Sequence, residues 1–282
     1  MPDGLVAYSQ QPNVRTDAGK KGYCPGAEDI GWQFVNLQLI YESELVSDSR
    51  AKVTGSRVRD LIERRDMCPG VEVQVGVENG LIGTAQIETV SSDFVELSLS
   101  LERKPPPKKE IIAVVAVPRP QTVKKLIHLA CTLGLKQLHL VRSMNSQKSY
   151  LYSNALQKEA IQTELRKGLE QAVDTVAPFI EVHTLFRPFV GDRLSSIAAS
   201  LPEPQSRLIA DTQSTTQLRE IFSTRSFYPS STVVAIGAET GWSSYEIEQF
   251  QKGGFLSVSL GDRILRVETA LTVLVGGIDN SV

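Results

Sequence analysis

From residue 111 to residue 259 the chain repeats one rhythm, a short apolar and β-branched run followed by a longer stretch with helical spacing. The runs are Ile111–Val117, Gln137–Val141, Ile180–His183, Arg207–Ala210, Thr232–Ile236 and Phe255–Ser259. Between them lie segments of 3.6-residue periodicity, such as Leu156 to Val176. Strands that alternate with helices must be parallel, because each return crosses a face of the sheet. Helices then cover both faces, and the strands read as continuous apolar runs. In such sheets ligands bind beyond the C-terminal ends of the strands, near a reversal of strand order. The loops after Ala210, Ile236 and Ser259 are therefore the first places to look for a site.

The rhythm does not extend to the N-terminal side. Arg103-Lys104-Pro105-Pro106-Pro107-Lys108-Lys109 is a stiff extended linker, since consecutive prolines enter neither a helix nor a central strand. Before it the pattern is period two, at Val35–Ile40, Val71–Val75 and Phe94–Leu99. Asn79-Gly80 is a turn signal, and Arg57 to Asp66 a short helix. The expected architecture is α/β, with a small N-terminal β-barrel over 34–104 and a larger unit over 111–282. Residues 1–33, rich in Gly, Pro and polar residues, read as a disordered leader.

The chain of 282 residues has a net charge of −2, so any nucleic-acid surface must be a local patch. Six basic residues between Arg50 and Arg65 and those of the linker are the candidates. The same residues could equally form a solvated face. The longest wholly apolar run spans 111–117, too short to cross a membrane. Nothing at the N-terminus has the form of a signal or transit peptide, which points to the cytoplasm. Cys24, Cys68 and Cys131 are far apart and read as free thiols in a reducing compartment. His128, His139 and His183 are equally scattered, which offers no metal-ligand spacing.

Two loops could carry chemistry. In Ile236-Gly237-Ala238-Glu239-Thr240-Gly241-Trp242 the glycines permit a sharp turn and close approach of a ligand. Ser243 to Glu246 then fits a capping box that opens a helix. The loop is not a phosphate loop, because no Gly-Lys-Ser/Thr follows. The second run is Leu260-Gly261-Asp262-Arg263-Ile264-Leu265-Arg266-Val267-Glu268-Thr269-Ala270. Two arginines and a carboxylate at a strand end are costly to bury unless paired or used. An Arg–Glu pair with Glu268 at a helix N-terminus explains them as well as catalysis does.

The second run resembles the C-terminal motif of the RsmE family, ribosomal RNA uridine-N3 methyltransferases of the SPOUT superfamily. Gly237-Ala238-Glu239-Thr240-Gly241 is similar to that family's GPEGG loop. Val117-Pro118-Arg119-Pro120 with Lys124-Lys125, Arg142-Ser143, Lys148-Ser149-Tyr150, Glu170-Gln171 and Gly70 match further family segments. The resemblance runs from about Phe34 to the C-terminus. It implies a PUA-like β-barrel and a SPOUT α/β domain with a trefoil knot, S-adenosylmethionine (AdoMet) as cofactor, and ribosomal RNA or the small ribosomal subunit as partner. It also implies a homodimer, while the short apolar runs and scattered histidines point to no membrane and no metal. The cofactor residues it implies are Ala210, Ile236, Gly237, Glu239, Gly241, Leu260, Gly261, Ile264, Leu265 and Thr269. Arg266 would steady charge on the uracil oxygens, and Glu268 would accept the N3 proton or orient Arg266. Arg57, Arg59, Arg64, Arg65, Arg119 and Arg142 would contact RNA. The alternatives are another RNA target or a non-catalytic ribosome-assembly factor.

The chain departs from the family pattern in three places. Ala238 and Thr240 replace a proline and a glycine, so the loop should be looser and Thr240 strained if its φ must be positive. Asp60 and Asp66 stand where a histidine and an arginine are usual. Val173-Asp174 stands where an arginine is usual.

Overall fold

The structure is a computed structural model. It describes residues 36–65, 68–223 and 229–279, apart from the side chains of 63–65 and 222–223. The leader expected over 1–33 lies outside the described residues.

The first half forms β1 (Gln38–Ile40), β2 (Leu45–Ser47), β3 (Arg50–Thr54), α1 (Ser56–Arg65), β4 (Glu72–Val77), β5 (Ile82–Val90) and β6 (Phe94–Arg103). Its sheet runs in the order β1-β4-β5-β6-β3-β2. All its pairings are antiparallel except that of β1 with β4. Register shifts in β5–β6 and β2–β3 curl it into a half-barrel. Alternate residues such as Val73, Val75, Val95 and Leu97 fill its concave face, the outcome that the period-two pattern demands.

The second half contains β7 (Lys109–Ala116), α2 (Pro120–Thr132), β8 (Leu135–Val141), α3 (Lys158–Ala172), β9 (Phe179–His183), α4 (Phe186–Pro188) and α5 (Leu194–Ala199). It continues with β10 (Gln205–Ala210), α6 (Leu218–Ser223), β11 (Ser231–Ile236), α7 (Ser244–Lys252), β12 (Leu256–Val258) and α8 (Val267–Asp279). The strands form one parallel sheet in the order β12-β10-β11-β7-β8-β9. The reversal of order lies between β7 and β11. Strand β7 shows why its sequence is apolar throughout: Ile111, Ala113 and Val115 enter the core shared with α2, α3 and α8, while Ile112, Val114 and Ala116 enter the one on the opposite face.

The half-barrel is fixed to the end of α3. The Leu37 amide donates to the Glu170 carbonyl at 2.9 Å, and the Asn79 amide to the Thr175 carbonyl at 2.8 Å. Arg166 forms a two-point pair with Glu78 at 3.1 and 3.0 Å and lies 3.6 Å above the Tyr41 ring. Glu170, of the Glu170-Gln171 motif, is therefore an anchor between the two sheets. In the linker, Lys108 pairs with Asp174 at 2.5 Å, with side chains 15% and 3% exposed, and Lys109 pairs with Asp279. Both lysines are thus engaged within the fold, where the sequence offered them to RNA. Val173 closes α3 with a left-handed φ of 53°.

Two sequence expectations are corrected here. Cys68 is disulfide-bonded, and only Cys131 is recorded as a free, buried thiol among the described residues. His139 and His183 are far apart in sequence but not in space, because β8 and β9 bring them within 3.0 Å. Sequence separation places no limit on spatial approach once strands pair in parallel.

Candidate functional site

The loops after β10, β11 and β12 converge on one cleft. It is an open cleft lined by Ala210, Ile236, Gly237, Glu239, Gly241, Leu260, Gly261, Ile264 and Leu265 among others. These are the expected cofactor residues with the exception of Thr269. Thr269 is exposed and does not line the cleft; Val267 and Ala270, three apart on α8, line it instead. The helical period turns Thr269 away from the face that its neighbours present.

The connection after β10 clasps the end of β12. The Ser259 amide donates to the Thr216 carbonyl at 2.8 Å and the Leu218 amide to the Ser259 carbonyl at 3.0 Å. Ser214 Oγ donates to the Ser257 carbonyl at 2.8 Å. The C-terminal segment is thus bound against an earlier connection, the contact that the threading implied by the resemblance requires.

The Gly237–Gly241 loop folds tightly on itself. The Gly241 amide donates to the Ala238 carbonyl at 2.8 Å. A Cβ on Gly237 would lie 2.6 Å from Gly241 backbone atoms and from the Trp242 amide, so no side chain fits there. The positive φ, +73°, falls on Gly241 and not on Thr240, so the strain expected at Thr240 does not arise. Nor is the loop slack. Glu246, fully buried, accepts from Ser143 Oγ at 3.1 Å and the Met144 amide at 2.8 Å, and closes the capping box through the Ser243 amide at 2.9 Å. Asn145 Nδ2 donates to the Gly241 carbonyl at 3.3 Å. The capping box was legible in sequence; its second role, tying this loop to the one after β8, was not.

A second cleft adjoins the first and shares Glu239, Ile264, Leu265 and Val267 with it. Its other walls include Arg119, Lys125, Tyr150, Arg266 and Glu268. Glu268 bonds to Lys125 Nζ at 2.9 Å. That bond, aided by the charges of Lys125 and Arg266, holds the Glu268 carboxyl below its ordinary value, against a smaller opposing effect of burial. Glu239 accepts from the Arg119 amide at 3.1 Å, while the Arg119 side chain is 70% exposed. Arg266 is exposed at the rim. Lys125 and Tyr150 were not singled out as site residues from sequence; a lysine that follows a proline-led helix start carries no local signal of its partner 143 residues away.

The residues expected to meet RNA separate into groups. Arg119 and Arg142 stand at strand ends on the site's side of the sheet, Arg142 in a shallow cleft with Phe186 and Arg187. Arg59 is exposed on α1. Arg57 is a correction: its guanidinium bonds to Glu44 at 2.6 Å and to the Leu39 carbonyl at 2.6 Å, and stacks 3.7 Å over Tyr41. Those contacts occupy its donors within the fold. The side chains of Arg64 and Arg65 lie outside the described residues, as does Asp66.

The RNA methyltransferase domain family matches residues 104–279. The chain is also 31% identical over 238 residues to the ribosomal RNA small subunit methyltransferase E of Treponema pallidum (strain Nichols), covering 84% of this chain and 87% of that protein. This protein belongs to the ribosomal RNA small subunit methyltransferase E family. Solved structures with the same fold include the methyltransferase E of Neisseria gonorrhoeae bound to S-adenosylmethionine, with a TM-score of 0.68, 20% identity and coverage of 86% of this chain and 97% of that one. Another is a methyltransferase of Legionella pneumophila with the same bound cofactor, with a TM-score of 0.66, 18% identity and coverage of 87% and 98%. In this chain the two clefts and the strand-end loops occupy the part matched by the domain family, and the half-barrel precedes it.

Proposed function

We propose that this protein uses AdoMet to methylate N3 of a uridine in small-subunit ribosomal RNA. The observation that carries the reading is the pair of adjoining clefts that share Glu239, Ile264 and Leu265. One is lined by backbone and aliphatic side chains from three strand ends; the other is rimmed by basic side chains.

The lining of the first cleft fits the proposed cofactor. Small and aliphatic residues (Ala210, Ile236, Leu260, Ala270) suit an adenosine, and the backbone of Gly237, Gly241 and Gly261 leaves polar groups uncovered by side chains. When bound there, AdoMet supplies a methyl group activated on a sulfonium. The protein's task is then positioning, because in-line transfer to nitrogen needs little further covalent help. Arg266 at the rim offers charge to the uracil oxygens as the N3 proton leaves. A carboxylate paired with Lys125 and acidified by it is a weak base, so Glu268 is better suited to fixing Lys125 and Arg266 than to taking the proton.

We assign residues 34–104 to RNA binding and 111–282 to methyl transfer, with 1–33 as a leader. Exposed Arg59 and Arg119, with partly buried Arg142, are the preferred phosphate contacts. Reversing the charge of Arg59 and Arg119 weakens RNA binding and flattens its salt dependence in this account. The active form is a homodimer in the cytoplasm. Ile264, 86% exposed beside the cofactor cleft, supports a covering partner subunit. Sedimentation of wild type and Ile264→Asp tests this, and a wild-type monomer would remove the dimer from the account. Among the described residues no helix is long and apolar enough to cross a membrane.

The deciding experiment is mass mapping of methylated nucleosides in ribosomal RNA from cells with and without the protein, together with AdoMet binding by calorimetry. A missing N3-methyluridine in the deletion supports the reading. Unchanged RNA with intact AdoMet binding would redirect it to another target, and no AdoMet binding would leave an assembly factor.

A further inference from the structure

Strands β8 and β9 pair in parallel with His139 opposite Glu181 and Val141 opposite His183. Glu181 and His183 are two apart, so both point to the face that carries His139. His139 Nδ1 lies 3.0 Å from His183 Nε2, and Glu181 Oε2 lies 3.7 and 3.6 Å from these two nitrogens. Three donor atoms at such separations leave a point about 2 Å from each, the bond length of zinc to imidazole nitrogen and carboxylate oxygen.

The surroundings resemble those of a built site. His139 Nε2 donates to Gln137 Oε1 at 2.8 Å, which fixes the tautomer and turns the Nδ1 lone pair inward. Phe189 closes one side, 4.5 Å from His183 between ring centres, and Glu181 remains 34% exposed as an entrance. Arg193 Nη2 donates to Glu181 at 3.1 Å, satisfying the carboxylate in the absence of metal and opposing a cation by its charge.

We propose that His139, Glu181 and His183 bind one divalent transition-metal ion of the zinc class, at the sheet edge and apart from both clefts. Two nitrogens and one carboxylate select zinc-like ions over magnesium or calcium, which prefer oxygen. The ion would staple the edge strand β9 to β8, and the fourth coordination position would take water. The competing account is a metal-free histidine–histidine hydrogen bond.

The test uses the full-length protein, stripped with chelator and titrated with Zn²⁺ against a chromophoric competitor, and with Co²⁺ by visible absorption. The expected result is one ion per chain at about 10 µM or tighter, a rise in Tm, and a cobalt spectrum without a thiolate charge-transfer band. His183→Ala and His183→Gln, at a half-buried edge position, should each weaken Zn²⁺ binding at least tenfold while retaining AdoMet binding as proof of folding. No stoichiometric uptake by the wild type, or uptake unchanged in the folded His183→Gln variant, overturns the site.

Discussion

At the residue scale the most informative side chain is Glu268. In sequence it has three readings, a helix-terminal carboxylate, a proton acceptor and an orienter of Arg266. Its bond to Lys125 and its lowered pKa favour the orienting role, with Lys125 as its direct partner in the second cleft. Glu268→Gln should lower the methylation rate on the order of 10²-fold, the typical cost of misplacing a positioned group, with AdoMet affinity nearly unchanged; a normal rate in a folded variant would remove the role. Lys125→Met should show the same split between rate and cofactor affinity. His139 yields a prediction in pH. Its folded pKa, about 4, lies below the unfolded value near 6.5, so the unfolded chain binds more protons between the two. The stability from keeping His139 neutral is complete above pH 6.5 and is lost as pH falls towards 4. Chemical unfolding across this range, with chelator present, should show that loss in the wild type and a flatter profile in His139→Gln. Glu181, His183 and Arg193 face the same ring and are unaltered in that comparison.

At the element scale, the loop from Gly237 to Gly241 depends on close backbone approach. Gly237→Ala places a methyl group 2.6 Å from the Gly241 backbone, so the loop must open. AdoMet affinity should fall tenfold or more, a change of about 1.4 kcal/mol, measured by calorimetry. The adjoining helix start relies on Glu246, whose carboxylate is buried among hydroxyl and amide donors. Glu246→Gln replaces acceptor capacity by an N–H₂ that meets donors, and should cost roughly 1–3 kcal/mol of stability by thermal unfolding. The replacements Ala238 and Thr240 look severe in sequence and are mild in the fold, because neither residue carries the loop's positive φ.

At the scale of the whole molecule, the half-barrel and the parallel sheet are joined through α3. Arg166 stacks on Tyr41, which Arg57 covers from another side, and pairs with a mostly buried Glu78. Arg166→Ala removes the stack and leaves Glu78 without that cation. It should destabilise the protein by roughly 2–3 kcal/mol, read from the urea midpoint. RNA affinity should fall with it if the half-barrel must be held in register with the clefts.

The sequence by itself determined the elements and much of the cofactor cleft. Six apolar runs alternating with helices pointed to a parallel sheet and to its strand-end loops as the place for a cleft, and the family resemblance named the residues expected to hold a cofactor, all of which but Thr269 line it. Local patterns suffice there because periodicity and strand-end position are properties of short segments. Pairing is not local. Only the tertiary structure showed that Arg57 is spent on Glu44, that Lys108 serves Asp174, that Glu268 meets Lys125, and that two histidines 44 residues apart share a face with a carboxylate. Each is a contact between charged or polar groups brought together by strand order and helix packing, and one-dimensional spacing carries no trace of it.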